Sequence, residues 1–231
     1  MNKEAFTNRA RAYTEARPGY AEEAVEYILS LVSKDAVFAD IGAGTGKFTE
    51  QIARRGYKIF AVEPNADMRG ELVKNLAPYP DVSVIDGSAE ASSLADSCAD
   101  VITNAQALRR FDIGLFRAEC IRIGKNPLVV TVFNEGDRIS VSKKNMDGVS
   151  EGYAKATGSL YKNPEIRKFP NPAFFTREKW HMYYSSMEGV PLVGEPGYEE
   201  HTAELNKVFD RDIADGVLRQ ELVTFIYSER F

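Results

Sequence analysis

The sequence predicts an open α/β domain, a mostly parallel sheet with helices on both faces. Between residues 36 and 133, short apolar runs alternate with amphipathic segments through short connections, the rhythm of strand–helix–strand units. The first run, Ala36-Val37-Phe38-Ala39, leads directly into Asp40-Ile41-Gly42-Ala43-Gly44-Thr45-Gly46-Lys47-Phe48. A strand, a glycine turn and a helix in that order form a nucleotide-binding corner. Glycine allows positive φ and close approach of a ligand to the backbone, and the helix start behind it presents free N–H groups.

Each element has its own local signal. Val37–Ala39 opens the first strand; Phe48, Ile52 and Ala53 share one helical face, and Gly56 ends that helix. Ile59–Glu63 is the second strand. Asn65 caps a helix carrying Met68, Leu72, Val73 and Leu76, which stops before Pro78. Val82–Asp86 and Asp100–Asn104 are the third and fourth strands. Asp112 caps a helix with Leu115, Phe116, Cys120 and Ile123 inward, closing at Gly124, and Leu128–Phe133 is the fifth strand. After Asn134 the rhythm breaks. Residues 135–165 are polar with scattered glycines, and the next stretch is punctuated by Phe169 to Pro172, Pro191 and Pro196. Residues 135–200 therefore read as a cap inserted after the fifth strand, over the strand ends, where loops select substrate. Glu221–Phe231 alternates enough to be a final strand. The expected organisation is one domain over residues 1–231, with N-terminal lid helices in 1–30, a ligand-binding core in 36–134, the cap in 135–200, and a C-terminal helix and last strand in 201–231.

Composition narrows the class. A 44% hydrophobic and 27% charged chain of 231 residues is ordinary for a soluble globular protein. Its net charge of −5 argues against a broad nucleic-acid footprint. Cys98 and Cys120 lie 22 positions apart, which is neither a metal nor a redox spacing, so free thiols in a reducing compartment are expected. The N-terminal residues hold no apolar stretch of signal-peptide length, and runs such as Leu128–Phe133 are far too short to span a membrane. The expectation is a cytoplasmic monomer or homodimer with a small-molecule partner, no nucleic acid and no membrane.

Spacing decides which nucleotide. A dinucleotide fingerprint places its third glycine three residues after the second, and here that position is Lys47. A phosphate loop of the G-x-x-x-x-G-K-[ST] type fails because Phe48 comes after the lysine. Glu63, 21 residues after Gly42, ends the second strand where an acid can accept both hydroxyls of a ribose. The alternative for Glu63 is a solvated strand end.

Asp40 to Gly46, then Ala61-Val62-Glu63-Pro64-Asn65, then Gly87-Ser88-Ala89-Glu90 resemble the class I S-adenosylmethionine-dependent methyltransferases, more narrowly their small-molecule type 11/25 group. The resemblance covers residues 36 to 133, extends weakly to Ala10-x-x-Tyr13-x-x-x-Arg17-Pro18-x-Tyr20, and fades between 135 and 200. It implies a Rossmann-like seven-stranded sheet whose last strand is antiparallel, lying between the fifth and sixth. It also implies S-adenosylmethionine as cofactor, S-adenosylhomocysteine as product, and methyl transfer to a small organic acceptor at O, N or C.

Carried over residue by residue, the resemblance implies a cofactor site. Gly42, Ala43 and Gly44 offer backbone; Asp40 fixes the corner or reaches the methionine ammonium through water. Glu63, next to Pro64, takes the ribose. Met68 lies against the adenine or in the helix core. Ser88, where many relatives carry Asp, and Ala89 meet the adenine amino group, and Glu90 either joins them or is solvated. Asn104 and Gln106 close the fourth strand beside the methionine end. Near the N-terminus, Phe6, Ala10 and Tyr13 share a helical face before Pro18. The family implies that Tyr13 and Arg17 there contact the methionine moiety; the alternative is a docking helix with a surface arginine.

On the acceptor side the chain departs from the family. Relatives commonly read Ala-Phe-His-Trp-Phe-Asp where this chain reads Ala107-Leu108-Arg109-Arg110-Phe111-Asp112. Arginine suits planar recognition of carboxylate or phosphate, so Arg109, and after it Arg110, are candidates for an anionic group on an acidic acceptor. The alternative is two surface arginines flanking a helix cap. Methyl transfer asks mainly for alignment, with a general base only for a poorly ionised acceptor, and neither His181 nor His201 is nominated as one. The Asn/Asp-Pro-Pro-aromatic motif of base methylases is replaced by Asn104-Ala105-Gln106-Ala107. No H-E-x-x-H, zinc cluster or nucleophile elbow occurs. Two rivals remain: a catalytically silent S-adenosylmethionine- or S-adenosylhomocysteine-binding protein, and a nicotinamide oxidoreductase. The latter is disfavoured by Lys47 and by the lack of a Tyr-x-x-x-Lys pair at Tyr153 or Tyr161.

Overall fold

The computed structural model describes residues 9–136 and 149–231. Phe6 and the start of the expected lid, and residues 137–148 of the expected cap, lie outside the described residues. From the N-terminus, helices α1 (Ala10–Ala16) and α2 (Glu22–Ser30) precede β1 (Val37–Ile41) and α3 (Lys47–Ala53). Then come β2 (Lys58–Val62), α4 (Ala66–Leu76), β3 (Val82–Ile85), β4 (Ala99–Ala105), a 3-10 turn at Leu108–Arg110, α5 (Ile113–Ile123) and β5 (Gly124–Gly136). The remainder forms α6 (Glu151–Leu160), β6 (Glu165–Pro170), β7 (Ala173–Phe175), α7 (Arg177–Ser185), α8 (Tyr198–Asp212), β8 (Ile213–Ala214), β9 (Val217–Gln220) and β10 (Leu222–Arg230).

Seven strands make one sheet in the order β3-β2-β1-β4-β5-β10-β6. β10 runs antiparallel to both its neighbours, with Phe225 opposite Phe133 on β5 and Lys168 on β6; the other adjacent pairs are parallel. This is the expected Rossmann-like sheet. Reversal of strand order on either side of β1 and β4 opens the crevice where such sheets bind ligands. The two faces are covered by separate apolar clusters. Phe116, Cys120, Ile123, Phe133 and Tyr153 belong to one, and Val25, Ile28, Phe38, Phe48 and Ile52 to the other. Helices on both sides of the sheet thus result from strands buried at successive positions, as β1 and β4 are.

Both expected caps form. Asn65 Oδ1 accepts from the Met68 N–H at 2.9 Å and Asp112 Oδ1 from the Leu115 N–H at 3.0 Å, which satisfies donors the helices leave open. Leu115, expected inward, is 56% exposed, and Val73 on α4 is likewise 53% exposed. Each stands about 100° around its helix from a buried neighbour, Leu72 or Phe116, and so falls off the narrow inward stripe.

The region expected as a cap divides differently. Residues 165–170, read as part of it, form the edge strand β6, whose positions are almost all exposed; an edge strand with polar side chains on both faces leaves no alternation to read. From β7 to β9, residues 173–220 form a small lobe with a three-stranded sheet, β7-β9-β8, and two helices. Its own core gathers Phe175, Trp180, Tyr184, Leu205, Phe209 and Leu218. Trp180 lies edge-on to Phe175 at 5.5 Å between centroids and donates through Nε1 to the Leu205 carbonyl at 3.2 Å.

The loop after β3 is held by one buried acid. Glu119 Oε1 on α5 accepts from the Ser92 N–H at 2.8 Å and the Ser92 hydroxyl at 2.6 Å, while Arg122 donates to both its oxygens at 2.7 and 2.9 Å. The Arg122 guanidinium, then the Ser92 donors, hold Glu119 down at about 2, against the cost of burial. A depressed acid contributes stability above its ordinary value near 4.5, which is lost as pH falls toward 2. Glu119→Gln should therefore lower stability by about 1–2 kcal/mol at pH 7, a figure reduced for the partly exposed arginine, and by much less at pH 2.5. Urea denaturation at the two pH values measures the difference.

Candidate functional site

β1 ends in a corner whose glycines take left-handed backbone: Gly42 at φ 73°, Gly44 at 61° and Gly46 at 91°. Such values exclude most side chains. The Gly42 and Ala43 amides both donate to the Val62 carbonyl of β2, at 2.9 and 3.0 Å, which fastens the corner to the neighbouring strand. A side chain built on Gly44 would meet no protein atom within 4 Å. That face of the loop is open to a ligand.

Asp40 is fully buried beneath the corner. Its Oδ2 accepts from Thr49 Oγ1 of α3 at 2.6 Å and its Oδ1 from Thr103 Oγ1 of β4 at 2.9 Å. These two bonds tie the end of β1 to the start of α3 and to β4. Burial raises its pKa to about 6, against the two hydroxyl donors.

Glu63 comes directly after β2 and reaches across to the corner. Its Oε2 accepts from the Gly44 N–H at 2.8 Å and its Oε1 from the Asn65 N–H at 2.8 Å. It is buried, which raises its pKa despite those two donors. Each oxygen keeps a further acceptor position, so the carboxylate can take both hydroxyls of a ribose placed at the corner. Pro64 is next in the turn before α4, and Met68 is buried in that helix at 2% exposure.

Ser88 and Ala91 pair their backbones in an isolated bridge after β3. Ala89 is buried, and Glu90 Oε1 accepts from the Asp112 N–H at 3.1 Å, joining this loop to the start of α5. The loop depends on Gly87, where an added Cβ would lie 2.4 Å from the Ser92 carbonyl oxygen.

Asn104, expected at the methionine end, points instead into the sheet. It is fully buried and donates through Nδ2 to Thr131 Oγ1 of β5 at 3.0 Å. Successive strand residues face opposite sides, and Thr103 already takes the side toward Asp40. Gln106, at φ 59°, does face the crevice: Nε2 donates to the Asn134 carbonyl at 3.1 Å and Oε1 accepts from the Tyr153 hydroxyl at 2.8 Å.

Beside the corner, Gln106 lines a cleft with Tyr13, Arg17, Tyr20, Lys47 and Tyr183. The expected pair Tyr13 and Arg17 is thus brought to one place with Gln106. Arg17 lies over the Tyr13 ring at 5.1 Å and the Tyr183 ring at 4.9 Å, and its Nε donates to Ser186 Oγ at 2.8 Å. The N-terminal segment is fixed by polar contacts. Gln51 exchanges hydrogen bonds with the Tyr20 backbone at 3.1 and 2.8 Å, Asn134 donates to the Gly19 carbonyl at 2.9 Å, and Arg9 donates to the carbonyls of Ser185 and Val190. Sequence reasoning missed Lys47, Tyr20 and Tyr183. Lys47 had a signal in its place beside the glycines; Tyr183 had none, since it reaches the cleft from the small lobe.

Arg109 and Arg110 are not brought to this cleft. Arg109 lies over the Tyr153 ring at 4.8 Å, and Arg110 pairs with Glu188 at 2.7 Å. Two successive side chains in a 3-10 turn diverge, so these two arginines make separate contacts. His181 and His201 both sit in the small lobe, where His181 Nε2 meets Asn206 Oδ1 at 2.9 Å.

The strand, the glycine corner and the acid that closes it from the next strand thus form one unit of the fold. Residues 39–127 match the family described as methyltransferase domain. An uncharacterized methyltransferase of Mycobacterium tuberculosis is 34% identical over 102 residues, 44% of this chain and 40% of its own length; the matched segment thus spans well under half of that relative. Over nearly the whole chain, a protein from Anaeromyxobacter dehalogenans described as a type II methyltransferase shares the fold. Its TM-score is 0.65 at 17% identity, covering 93% of this chain and 97% of that one. A SAM-dependent methyltransferase from Aquifex aeolicus does so with a TM-score of 0.55 at 11% identity, over 95% and 97%. Residues 39–127 thus resemble a methyltransferase domain, and the solved structures share the fold of the chain. Among the described residues no helix is long and apolar enough to cross a membrane.

The raised Asp40 carries a pH signature. An acid whose folded value is raised contributes stability below its ordinary value of 3.8, lost as pH rises through about 6. Asp40→Asn removes that loss. Relative to the parent, the variant should gain on the order of 2–3 kcal/mol between pH 3.5 and 7, read by denaturant unfolding across that range.

Proposed function

We propose that this protein transfers the methyl group of S-adenosylmethionine to a small organic acceptor at O, N or C, releasing S-adenosylhomocysteine. The observation that carries the reading is the closure of the glycine corner by Glu63 through the Gly44 N–H. It fixes a buried carboxylate with spare acceptor positions beside an open stretch of backbone, as a ribose requires. Around it, Gly42, Ala43 and Gly44 supply backbone, Ser88 and Ala89 border the adenine, and Tyr13, Arg17 and Gln106 surround the methionine end.

The cofactor supplies a methyl group on a positively charged sulfur, already a strong electrophile. Bound there, it would offer that methyl carbon to an electron pair of the acceptor, with the carbon–sulfur electrons left on sulfur. The chain's own task is alignment and exclusion of water, which supply most of the acceleration when reactants are held in line. Pinning the segment Arg17–Ala21 against β5, β10 and α3 serves that purpose, since Arg17, Pro18 and Tyr20 of this segment line the cleft.

Calorimetry with S-adenosylmethionine, S-adenosylhomocysteine and NADH tests the reading. Binding of NADH alone would overturn it. Cofactor binding with no turnover on any acceptor would reduce the chain to a silent binding protein. Glu63→Ala should cost about 1.5–3 kcal/mol of S-adenosylhomocysteine affinity, the range for hydrogen bonds to a charged group, and Gly44→Val should abolish binding by filling the open face and straining the backbone. Parent-like affinity in both variants would remove the glycine corner from the site.

A further inference from the structure

The cleft beside the corner holds two cations, Arg17 and Lys47, that make no ion-pair contact among the described residues; Glu50 acts on Lys47 only at longer range. The guanidinium of Arg17 is flanked by the Tyr13 and Tyr183 rings and bonded to the neutral Ser186 hydroxyl. Lys47, half-buried at the first turn of α3, lines the same cleft. Burial, and then the charge of Lys179 on α7, hold its ammonium below its ordinary pKa. The carboxylates nearby are occupied: Glu50 pairs with Arg54 at 2.7 Å, and Glu135 accepts from Ser150 Oγ at 2.6 Å. A partly desolvated pair of like charges is costly unless an anion completes it.

The cofactor does not complete it. S-adenosylmethionine carries one carboxylate, one ammonium and one sulfonium, so it enters with a net positive charge. Its carboxylate can satisfy one of the two cations. The other then faces a sulfonium across a cleft of reduced dielectric, where like charges repel more strongly than in water. A neutral or cationic acceptor would leave that repulsion standing; an anionic one relieves it and is drawn in by it.

Resting on the methyltransferase reading above, we infer that the methyl acceptor is a small carboxylic acid and that Lys47 binds its carboxylate, with Arg17 left to the cofactor. A single ammonium matches a single negative charge. The anion-recognising group is then on α3, next to the glycine corner, rather than at Arg109 and Arg110. Such a lysine sets specificity and position; it does not take the acceptor's proton.

The test uses the protein over residues 1–231 loaded with S-adenosylhomocysteine, titrated calorimetrically with small mono- and dicarboxylic acids, their primary amides and small phosphate monoesters. At least one acid should bind, with its amide weaker by roughly tenfold or more, as expected when a charge pair is lost. Lys47→Met keeps the apolar stem of the side chain and should weaken that acid by roughly tenfold or more, with Lys47→Arg restoring most of the affinity. S-adenosylhomocysteine affinity should change less than about twofold in both variants. The inference is overturned if no acid binds the loaded protein, if only phosphate esters do, or if Lys47→Met leaves the acid's affinity unchanged. It is also overturned if that variant weakens S-adenosylhomocysteine as much as the acid, which would assign Lys47 to the cofactor. Failure of the parent to bind S-adenosylhomocysteine at all is a different result and removes the methyltransferase reading itself.

Discussion

The arrangement of the site depends on a buried carboxylate at the end of β1. Asp40 ties the hydroxyl of Thr49, one turn into α3, to that of Thr103 on β4, so the helix start, the first strand and its neighbour share one fixed point. The glycine corner is strung between that point and the Val62 carbonyl of β2. Its direction decides where the Gly44 N–H aims, and hence where Glu63 comes to rest. No cation compensates Asp40 among the described residues; its burial is offset only by two hydroxyls, and that is why its pKa rises. The molecule thus gives up stability near neutral pH to hold the corner in place, a trade that functional sites commonly make.

The cleft itself is assembled from parts of the chain that are far apart. Tyr13 and Arg17 come from the N-terminal segment, Lys47 from the corner, Gln106 from the end of β4 and Tyr183 from the small lobe. Arg9 and Arg17 join the first of these to the last through the carbonyls of Ser185 and Val190 and the hydroxyl of Ser186. The small lobe has an aromatic core of its own, so α7 can present Tyr183 from a packed platform rather than a loose loop.

The legible parts of this molecule in sequence were those set by local rules. Strand and helix order, the caps at Asn65 and Asp112, and the spacing from Gly42 to Glu63 are each fixed within a few residues by periodicity, turn chemistry and chain geometry. What was not legible depended on direction or on distance along the chain. Asn104 and Thr103 are adjacent, and only the pairing of β4 with β1 and β5 decides which of them faces the corner. Arg109 and Arg110 are adjacent, and the sequence does not show that a 3-10 turn sends one to Tyr153 and the other to Glu188. The edge strand β6 has too little burial to impose a pattern. Tyr183 enters the cleft through tertiary packing alone.

The place of β10 in the sheet has a consequence for how the protein is made. Residues Leu222–Arg230 insert between β5 and β6 and pair with both along their length. On a ribosome, β5 emerges long before its partner, and its far edge stays unpaired until about ninety further residues have been synthesised. Phe133 waits in the same interval for Phe225 and Tyr227, which stack near it in the finished sheet. An apolar strand with a free edge is a template for unwanted pairing, so this span of synthesis is when the nascent chain most needs a chaperone.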